Sequence, residues 1–195
     1  MFQTYANMHS LFFKHSYIRS MIRYIAMLRG INVGGKTVKM AVLKEYFEVL
    51  KFKNIVTYIQ SGNVLFDTKE TDEAKLVKKI TKDLNKTFGF DIEVVIRTIN
   101  EVQEVIANNP FKKRKFNNKE QLYVSFLSAC PDEALINTLA PYIKDGEAYT
   151  IINREVYIVS EKYGETKLSN NLIEKKLKVV STTRNWATVN KVITL

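Results

Sequence analysis

The chain has 195 residues, of which 46% are hydrophobic, and it carries a net charge of +10 with a single cysteine, Cys130. One cysteine excludes an internal disulfide, and no apolar run approaches the ~18 residues that a membrane-spanning helix needs. We therefore expect a cytoplasmic protein with a hydrophobic core, built as one domain or as two small halves.

The first 20 residues differ from the rest of the chain. They contain no acidic residue and hold both histidines, His9 and His15. We expect residues 1–20 to be a poorly ordered or loosely docked extension, or a mis-assigned start. The alternative is an amphipathic segment that packs on the body or on a partner. Without these residues no histidine remains for a Ser-His-Asp nucleophile or a histidine-ligated metal. We expect no metal or other cofactor.

Hydrophobic periodicity predicts a regular order of elements in the first half of the chain. The predicted elements are a strand over 22–28, a helix over 40–51, strands over 54–60 and 63–67, a helix over 72–88 and a strand over 92–98. Ser61 and Gly62 form the turn of a hairpin, and Gly89 caps the long helix. The order β-α-β-β-α-β is that of a ferredoxin-like unit.

The second half repeats this pattern without its last strand. The predicted elements are a helix over 100–107, a polar loop over 108–120, a strand over 121–128, a helix over 132–143, strands over 148–152 and 155–160, and helices over 167–178 and 184–193. Thr182 or Thr183 would cap the last helix. We therefore predict an α+β fold of two packed ferredoxin-like (βαββαβ) subdomains with mixed or antiparallel sheets, over residues 21–99 and 100–195.

Three segments together resemble one known family. They are Leu-Arg-Gly-Ile-Asn-Val-Gly-Gly-Lys at 28–36, Tyr-Ile-Gln-Ser-Gly-Asn-Val at 58–64, and Thr-Thr-Arg-Asn-Trp at 182–186, the last preceded by Lys-Leu-Ser-Asn at 167–170 and by Glu174. This set resembles the bacterial family known as domain of unknown function 1697 (DUF1697). The resemblance covers residues 21–195 and implies two ferredoxin-like subdomains and no established activity. It also implies that the basic run at 112–115 is a local variation.

The glycine-rich segment matches the phosphate-loop pattern G-x-x-x-x-G-K-[ST] from Gly30 to Thr37. In a phosphate loop, Lys36 would contact the phosphates and the Thr37 hydroxyl would coordinate Mg²⁺. However, Asp67, the remaining metal ligand, would lie on a hairpin strand and not on a parallel strand after a crossover. Nucleoside triphosphate hydrolysis is therefore disfavoured. A plain strand-to-helix connection and a loop that binds an anion or polar ligand both remain open.

Polar residues also mark the hairpin tip and the start of the last predicted helix. Turn chemistry explains Ser61 and Asn63, but not Gln60. Arg184 would oppose the dipole of its helix, so we expect a carboxylate, a phosphate or a carbonyl beside it. We hypothesise that these segments meet in one polar cleft. The candidate ligand-binding residues are Arg29, Asn32, Gly34, Gly35, Lys36, Gln60, Ser61, Asn63, Lys167, Asn170, Arg184 and Asn185.

Three functions are consistent with such a cleft. The first is a cytoplasmic binding or regulatory protein for a small anionic ligand. The second is an enzyme acting on a phosphorylated or carboxylated metabolite, with Lys36 or a tyrosine transferring the proton. The third, less favoured, is a nucleic-acid-binding module that stacks bases on Tyr58 and Phe66, since the sequence lacks the usual aromatic motif. Catalytic residues, the ligand and the oligomeric state are left open.

Overall fold

The computed structural model describes residues 20–195, which form eight strands and six α-helices. The expectation for residues 1–20 lies outside this range, Ser20 excepted. The first half comprises β1 (Ile22–Arg29), α1 (Met40–Val49), β2 (Lys53–Tyr58), β3 (Asn63–Thr68), α2 (Glu73–Phe88) and β4 (Glu93–Thr98), followed by α3 (Ile99–Ala107). The second half comprises β5 (Gln121–Leu127), α4 (Glu133–Ile136), a 3₁₀ segment (Asn137–Tyr142), β6 (Ala148–Ile152), β7 (Glu155–Ser160), α5 (Asn170–Leu177), β8 (Ser181–Asn185) and α6 (Trp186–Val192).

The two halves have the same sheet topology. Each sheet has four strands, in the orders β2-β3-β1-β4 and β6-β7-β5-β8, and every pairing is antiparallel. Both orders are those of the ferredoxin-like βαββαβ unit. The predicted fold class is therefore confirmed, while the division at residues 99 and 100 stays a prediction.

The sheets pack face to face, with helices outside them and between them. Along β1, Ile25 and Met27 point into the core between the sheets, while Tyr24 and Ala26 point to the opposite face. Helices α3 and α6 contribute to the core between the sheets. Helices α1 and α2 cover the outer face of the first sheet, and α5 covers that of the second. Among the described residues, no helix is both long enough and apolar enough to cross a bilayer.

Helix α2 shows how the local sequence sets an element. Its N-cap Asp72 accepts a hydrogen bond from a first-turn backbone N–H. Its C-cap Gly89 adopts φ 74°, as the sequence predicts. The side chains that it buries lie three to four residues apart on one face, Leu76, Ile80 and Leu84.

The second half contains a final strand that the sequence pattern does not predict. Thr182 and Arg184 pair with Phe126 and Val124 of β5, so Arg184 lies in a strand and not at a helix start. Helix α6 begins at Trp186, and Asn185 caps it by accepting a 2.8 Å bond from Thr188 N. The predictions of a helix from residue 184 and of a threonine cap are wrong. A five-residue polar strand lacks the apolar alternation from which strands are predicted.

Two other predicted helices also differ in the structure. The helix expected over 132–143 ends at Ile136 and continues as a 3₁₀ segment containing Pro141, which has no N–H for an α-helical ladder. The helix expected from residue 167 begins at Asn170, because Ser169 adopts an extended conformation and caps it.

Gly62 links the β2–β3 hairpin to the end of β1. Its φ is 73°, and a Cβ there would lie 2.9 Å from Leu28 Cβ and 2.6 Å from Ile31 Cδ1. Gly34 has φ 58°, but a Cβ added to it would meet nothing within 4 Å. Both glycines have a left-handed backbone, but only at Gly62 would a side chain also be crowded. Comparing alanine variants at the two positions therefore separates the cost of backbone strain from the cost of crowding.

We expect Gly62→Ala to destabilise the protein more than Gly34→Ala does. The left-handed backbone costs about 1 kcal/mol at both sites, and overpacking adds roughly 1–3 kcal/mol at Gly62 alone. Urea unfolding of the two variants measures the difference. Equal losses of unfolding free energy would show that the hairpin tip does not pack tightly on β1.

Candidate functional site

Arg184 of β8 crosses from the second half into the first. Its residue is 7% exposed. Its Nε donates to Asn63 Oδ1 at 2.5 Å, and its Nη2 donates to Leu28 O at 2.9 Å and Ser61 O at 3.0 Å. The end of β1, the hairpin tip and β8 therefore meet at one buried guanidinium.

The remaining donors of Arg184 are satisfied within its own strand. Its Nη1 donates to Thr182 Oγ1 at 2.8 Å and Thr183 O at 2.9 Å, so all five N–H groups have acceptors. No carboxylate pairs with it among residues 20–195. Burial lowers the pKa of Arg184 to about 10, which keeps it charged at neutral pH. Carbonyls, one of the partners expected from the sequence, hold this cation.

The hairpin tip is ordered by amide side chains. Asn63 Nδ2 donates to Tyr58 O at 3.1 Å and to Ser61 Oγ at 3.0 Å. Asn32 Nδ2, from the glycine-rich segment, donates to Gln60 O at 2.7 Å. These bonds fix the geometry on which Arg184 depends.

The glycine-rich segment forms a small hairpin. Lys36 N donates to Val33 O at 3.1 Å, and Gly34 and Gly35 form the turn with φ values of 58° and 82°. The next helix starts only at Met40. This is a two-residue turn and not a loop that leads directly into a helix N-terminus, as a phosphate loop does. The Lys36 ammonium lies over the aromatic ring of Phe90, 5.2 Å from the ring centroid.

The other expected residues are distributed around this junction. Arg29 binds Glu174 and Asn171 of α5. Asn170 Oδ1 accepts a 2.7 Å bond from Thr183 Oγ1 on the far face of β8. Lys167 is exposed, as are Gln60 and Asn185.

Within residues 20–195, the structure thus brings the three predicted segments together at Arg184. The space beside Arg184 and Asn63 is enclosed by apolar side chains and is too narrow to hold a water molecule. Arg29 and Arg184 contact the protein itself. The ligand-binding role expected for these residues stays a prediction.

A second arginine, Arg97 of β4, makes the reciprocal crossing from the first half into the second. Its residue is 1% exposed. Its Nη2 donates to Leu127 O at 2.7 Å and Arg154 O at 3.3 Å, and its Nε donates to Glu155 Oε1 at 2.9 Å. Leu127 and Leu28 hold equivalent positions near the ends of β5 and β1, so the two arginines are related by the internal repeat.

The registers support this equivalence. Arg97 pairs with Ile25 of β1, and Arg184 pairs with Val124 of β5. Each arginine also bonds the carbonyl before it, Ile96 O at 2.8 Å in one half and Thr183 O at 2.9 Å in the other. The halves share a structural device that no sequence identity between them reveals.

The surroundings of Arg97 differ from those of Arg184 at two positions. Val95 stands where Thr182 accepts a bond from Arg184, so one Nη1 hydrogen of Arg97 has no acceptor among residues 20–195. Glu155 replaces the neutral Asn63, and burial raises the pKa of its carboxyl although Arg97 opposes this.

Beside Arg97 lies a cavity of about 190 Å³, which we call the Arg97 cavity. Its polar lining is Arg97, Glu101, Glu104, Asn108, Cys130, Asn153, Arg154, Glu155 and Tyr157. The cavity therefore presents charges of both signs, unlike the closed space at Arg184. Perturbed ionisable groups around a small polar cavity are typical of a binding site.

Arg154 connects this cavity to the first half. Its Nη1 donates to both carboxylate oxygens of Glu73 at 2.9 and 3.1 Å, and its Nη2 donates to Glu101 at 2.7 Å. Glu101 also accepts bonds from the N–H and hydroxyl of Thr98, the N-cap of α3. Burial alone would raise the pKa of Glu101, but these bonds and the Arg154 charge lower it.

Sequence reasoning misses this site. It places Arg97 and Arg154 correctly in a strand and at a hairpin turn, but it assigns neither of them to a site. The available signal is an arginine that directly follows the apolar run at 94–96 within one predicted strand, since a buried guanidinium requires partners. By contrast, Phe66, proposed for base stacking, is fully buried and cannot stack on a base.

Comparison with known proteins gives the family and the fold. A family model described as "Protein of unknown function (DUF1697)" matches residues 21–157. The structure described as that of the conserved bacterial protein SP0830 from Streptococcus pneumoniae is 24% identical in sequence. It has a TM-score of 0.70, and the match covers 90% of this chain and 98% of that one. No curated protein matches the sequence.

We expect Arg184→Met to lower the unfolding free energy by about 3 kcal/mol or more, because it leaves several buried acceptors without donors. Arg184→Lys should not restore it, since an ammonium has only three donors. Lys36→Met, at an exposed position, serves as the control and should change stability by less than about 0.5 kcal/mol. A loss below about 1 kcal/mol for Arg184→Met in urea unfolding would contradict its structural role.

The Glu101 carboxylate should contribute stability that depends on pH. Its pKa is lowered in the folded state, so this contribution is present above the unfolded pKa and is lost as pH falls through the folded pKa. Glu101→Gln should therefore be less stable than the wild type at pH 7, with the gap shrinking below about pH 4. Urea unfolding across this pH range tests it, with Glu104→Gln as control. A constant gap would show that Glu101 acts through packing alone.

Proposed function

This chain belongs to the DUF1697 family, and we propose from its geometry that it is a cytoplasmic binding protein for a small carboxylate-bearing molecule. The same molecule would carry a positive or hydrogen-bond-donating group, as a free amino acid does. It would occupy the Arg97 cavity. The single exposed thiol, Cys130, is consistent with a reducing compartment.

The observation that carries this proposal is the difference between the two arginine sites. Arg184 uses all five donors on the protein, whereas Arg97 uses four. Glu155 Oε1 accepts the bond from Arg97, and no donor within the described chain contacts Oε2. An unused donor and an unused acceptor thus adjoin a cavity in one half only.

The lining selects the chemistry of the ligand. A ligand carboxylate would accept from the free Arg97 N–H, and an ammonium or amide group would donate to Glu155 or Glu104. A volume near 190 Å³ suits a molecule of amino-acid size. A purely anionic ligand would be repelled by the three carboxylates of this cavity, those of Glu101, Glu104 and Glu155. The sequence predicts a small anionic ligand, and we therefore propose one that carries a hydrogen-bond-donating group in addition to its carboxylate.

A pair of substitutions tests this by converting the Arg97 site into a copy of the Arg184 site. Val95→Thr supplies the missing acceptor, and Glu155→Asn replaces the carboxylate by the amide found at Asn63. The probes are the free amino acids, succinate and acetamide, screened by thermal shift and titrated by calorimetry. A bound probe at 100 times its Kd stabilises the folded state by about 2.7 kcal/mol.

We expect at least one amino-acid probe to stabilise the wild type and to lose affinity about tenfold or more in the double variant, which should remain folded. Lys36→Met should bind as the wild type does. If the double variant still binds the probe but Lys36→Met does not, the ligand binds at the glycine-rich hairpin and not in the Arg97 cavity. Absence of any stabilising probe would contradict the proposed ligand class.

A further inference from the structure

The outer edge of β4 presents backbone groups without a strand partner. Leu28 N donates to Gly62 O, so the even-numbered residues of β1 bond toward β3 and the odd-numbered ones toward β4. In β4 the residues opposite those odd-numbered positions bond inward. Val94 and Ile96 therefore direct their backbone groups outward, to the edge of the sheet. Ile96 O already accepts a 2.8 Å bond from Arg97 Nη1, so Val94 provides the open position of this edge.

At the equivalent edge in the second half, a side chain of the protein accepts from the backbone N–H of Ser181. Ser181 corresponds to Val94, because they pair with Leu127 and Leu28 respectively. Ser181 N donates to Glu174 Oε1 at 2.8 Å, and Arg29 holds the Glu174 carboxylate in place. For Val94 N, no side-chain acceptor exists within residues 20–195. In the second half a carboxylate oxygen of Glu174 thus lies at the position that is left open beside Val94 N in the first half.

A groove of about 720 Å³ runs between the β4 edge, helix α2 and the second half. We call it the β4 groove. Ala74 and Val77 give it apolar surface, and Thr81 Oγ1 is buried without a hydrogen-bond partner in the described chain. A groove between an edge strand and a helix can take an added strand, which supplies main-chain bonds to the edge.

The charge of the β4 groove indicates what such a strand would carry. Lys78 and Lys82 line the groove, are exposed, and have no ion-pair partner within residues 20–195. The lining also holds Glu73, which is paired with Arg154, and Glu93, whose single negative charge leaves the two lysines in excess. They are one helical turn apart, so their Cβ atoms are about 5–6 Å from each other. Alternate side chains on one face of a strand are about 6.6 Å apart. Two acidic residues at alternate positions of an added strand would match the two lysines.

We propose that the β4 groove binds an extended acidic polypeptide segment of a partner protein as a fifth strand beside β4. Val94 gives it main-chain hydrogen bonds, and Lys78 and Lys82 select acidic side chains. This interaction does not depend on a ligand in the Arg97 cavity, although Arg154 adjoins both spaces.

The test uses the full chain and a fluorescein-labelled octapeptide of alternating valine and glutamate, with anisotropy as the readout. The comparison probes are the valine–lysine octapeptide and a labelled single-stranded oligothymidylate. Lys78→Glu with Lys82→Glu reverses both groove charges. The matched control is Lys44→Glu with Lys86→Glu, which makes the same change of net charge at exposed helix positions outside the groove.

We expect the acidic peptide to bind the wild type, to weaken about tenfold in the groove variant and to change by less than about twofold in the control. Amide exchange should slow at Val94 when the peptide is added. Equal weakening in both variants, unchanged exchange at the Val94 amide, or binding of neither peptide would overturn the proposal. Tighter groove-dependent binding of the oligonucleotide would assign the surface to nucleic acid instead.

Discussion

A guanidinium buried between two sheets must find acceptors for its N–H groups, and this requirement organises the molecule. Burial of an unpaired charge or of an unsatisfied donor is costly, so the acceptors must be fixed in place. Arg184 meets the requirement with backbone oxygens at the end of β1 and at the β2–β3 turn. Arg97 does the same with the end of β5 and the β6–β7 turn. Each half therefore supplies one buried cation and the carbonyls that hold the other half's cation.

The same arrangement explains where the molecule can be functional. Two equivalent sites need not keep equivalent chemistry once the fold is secure. At Arg184 a threonine hydroxyl and an amide complete the coordination, and the surrounding space closes. At Arg97 a valine and a glutamate stand in these positions, and a polar cavity opens beside them. The sheet edges also differ, because Glu174 accepts from Ser181 N of β8, while the equivalent Val94 of β4 lines an open groove. Because of these two differences, the Arg97 cavity and the β4 groove both lie next to Arg154.

Much of the fold follows from local sequence, because alternation, turns and caps act over a few residues. The β2–β3 and β6–β7 hairpins and both caps of α2 belong to this class. Strand β8 does not, because its short polar sequence becomes a strand only by pairing with β5. The candidate site was harder still to predict. Arg97 and Glu155 are 58 residues apart in sequence and lie in different sheets, so their pairing depends on how the halves pack. The unusual composition of these segments predicted that Arg184, Asn63 and the hairpin tip would meet. It did not predict that protein acceptors would use all the hydrogen-bond donors of Arg184.

If reciprocal arginines join the halves into one cooperative unit, both halves must unfold together. Native-state hydrogen exchange measures this directly, through the amides of Ala26 in β1 and Val124 in β5, which lie in strand pairings of different sheets. The opening free energies of the two amides should agree within about 0.5 kcal/mol in the wild type and fall together in Arg184→Met. A difference of more than about 2 kcal/mol between the two amides, or a loss confined to the second half, would show that the halves are held independently of their buried arginines.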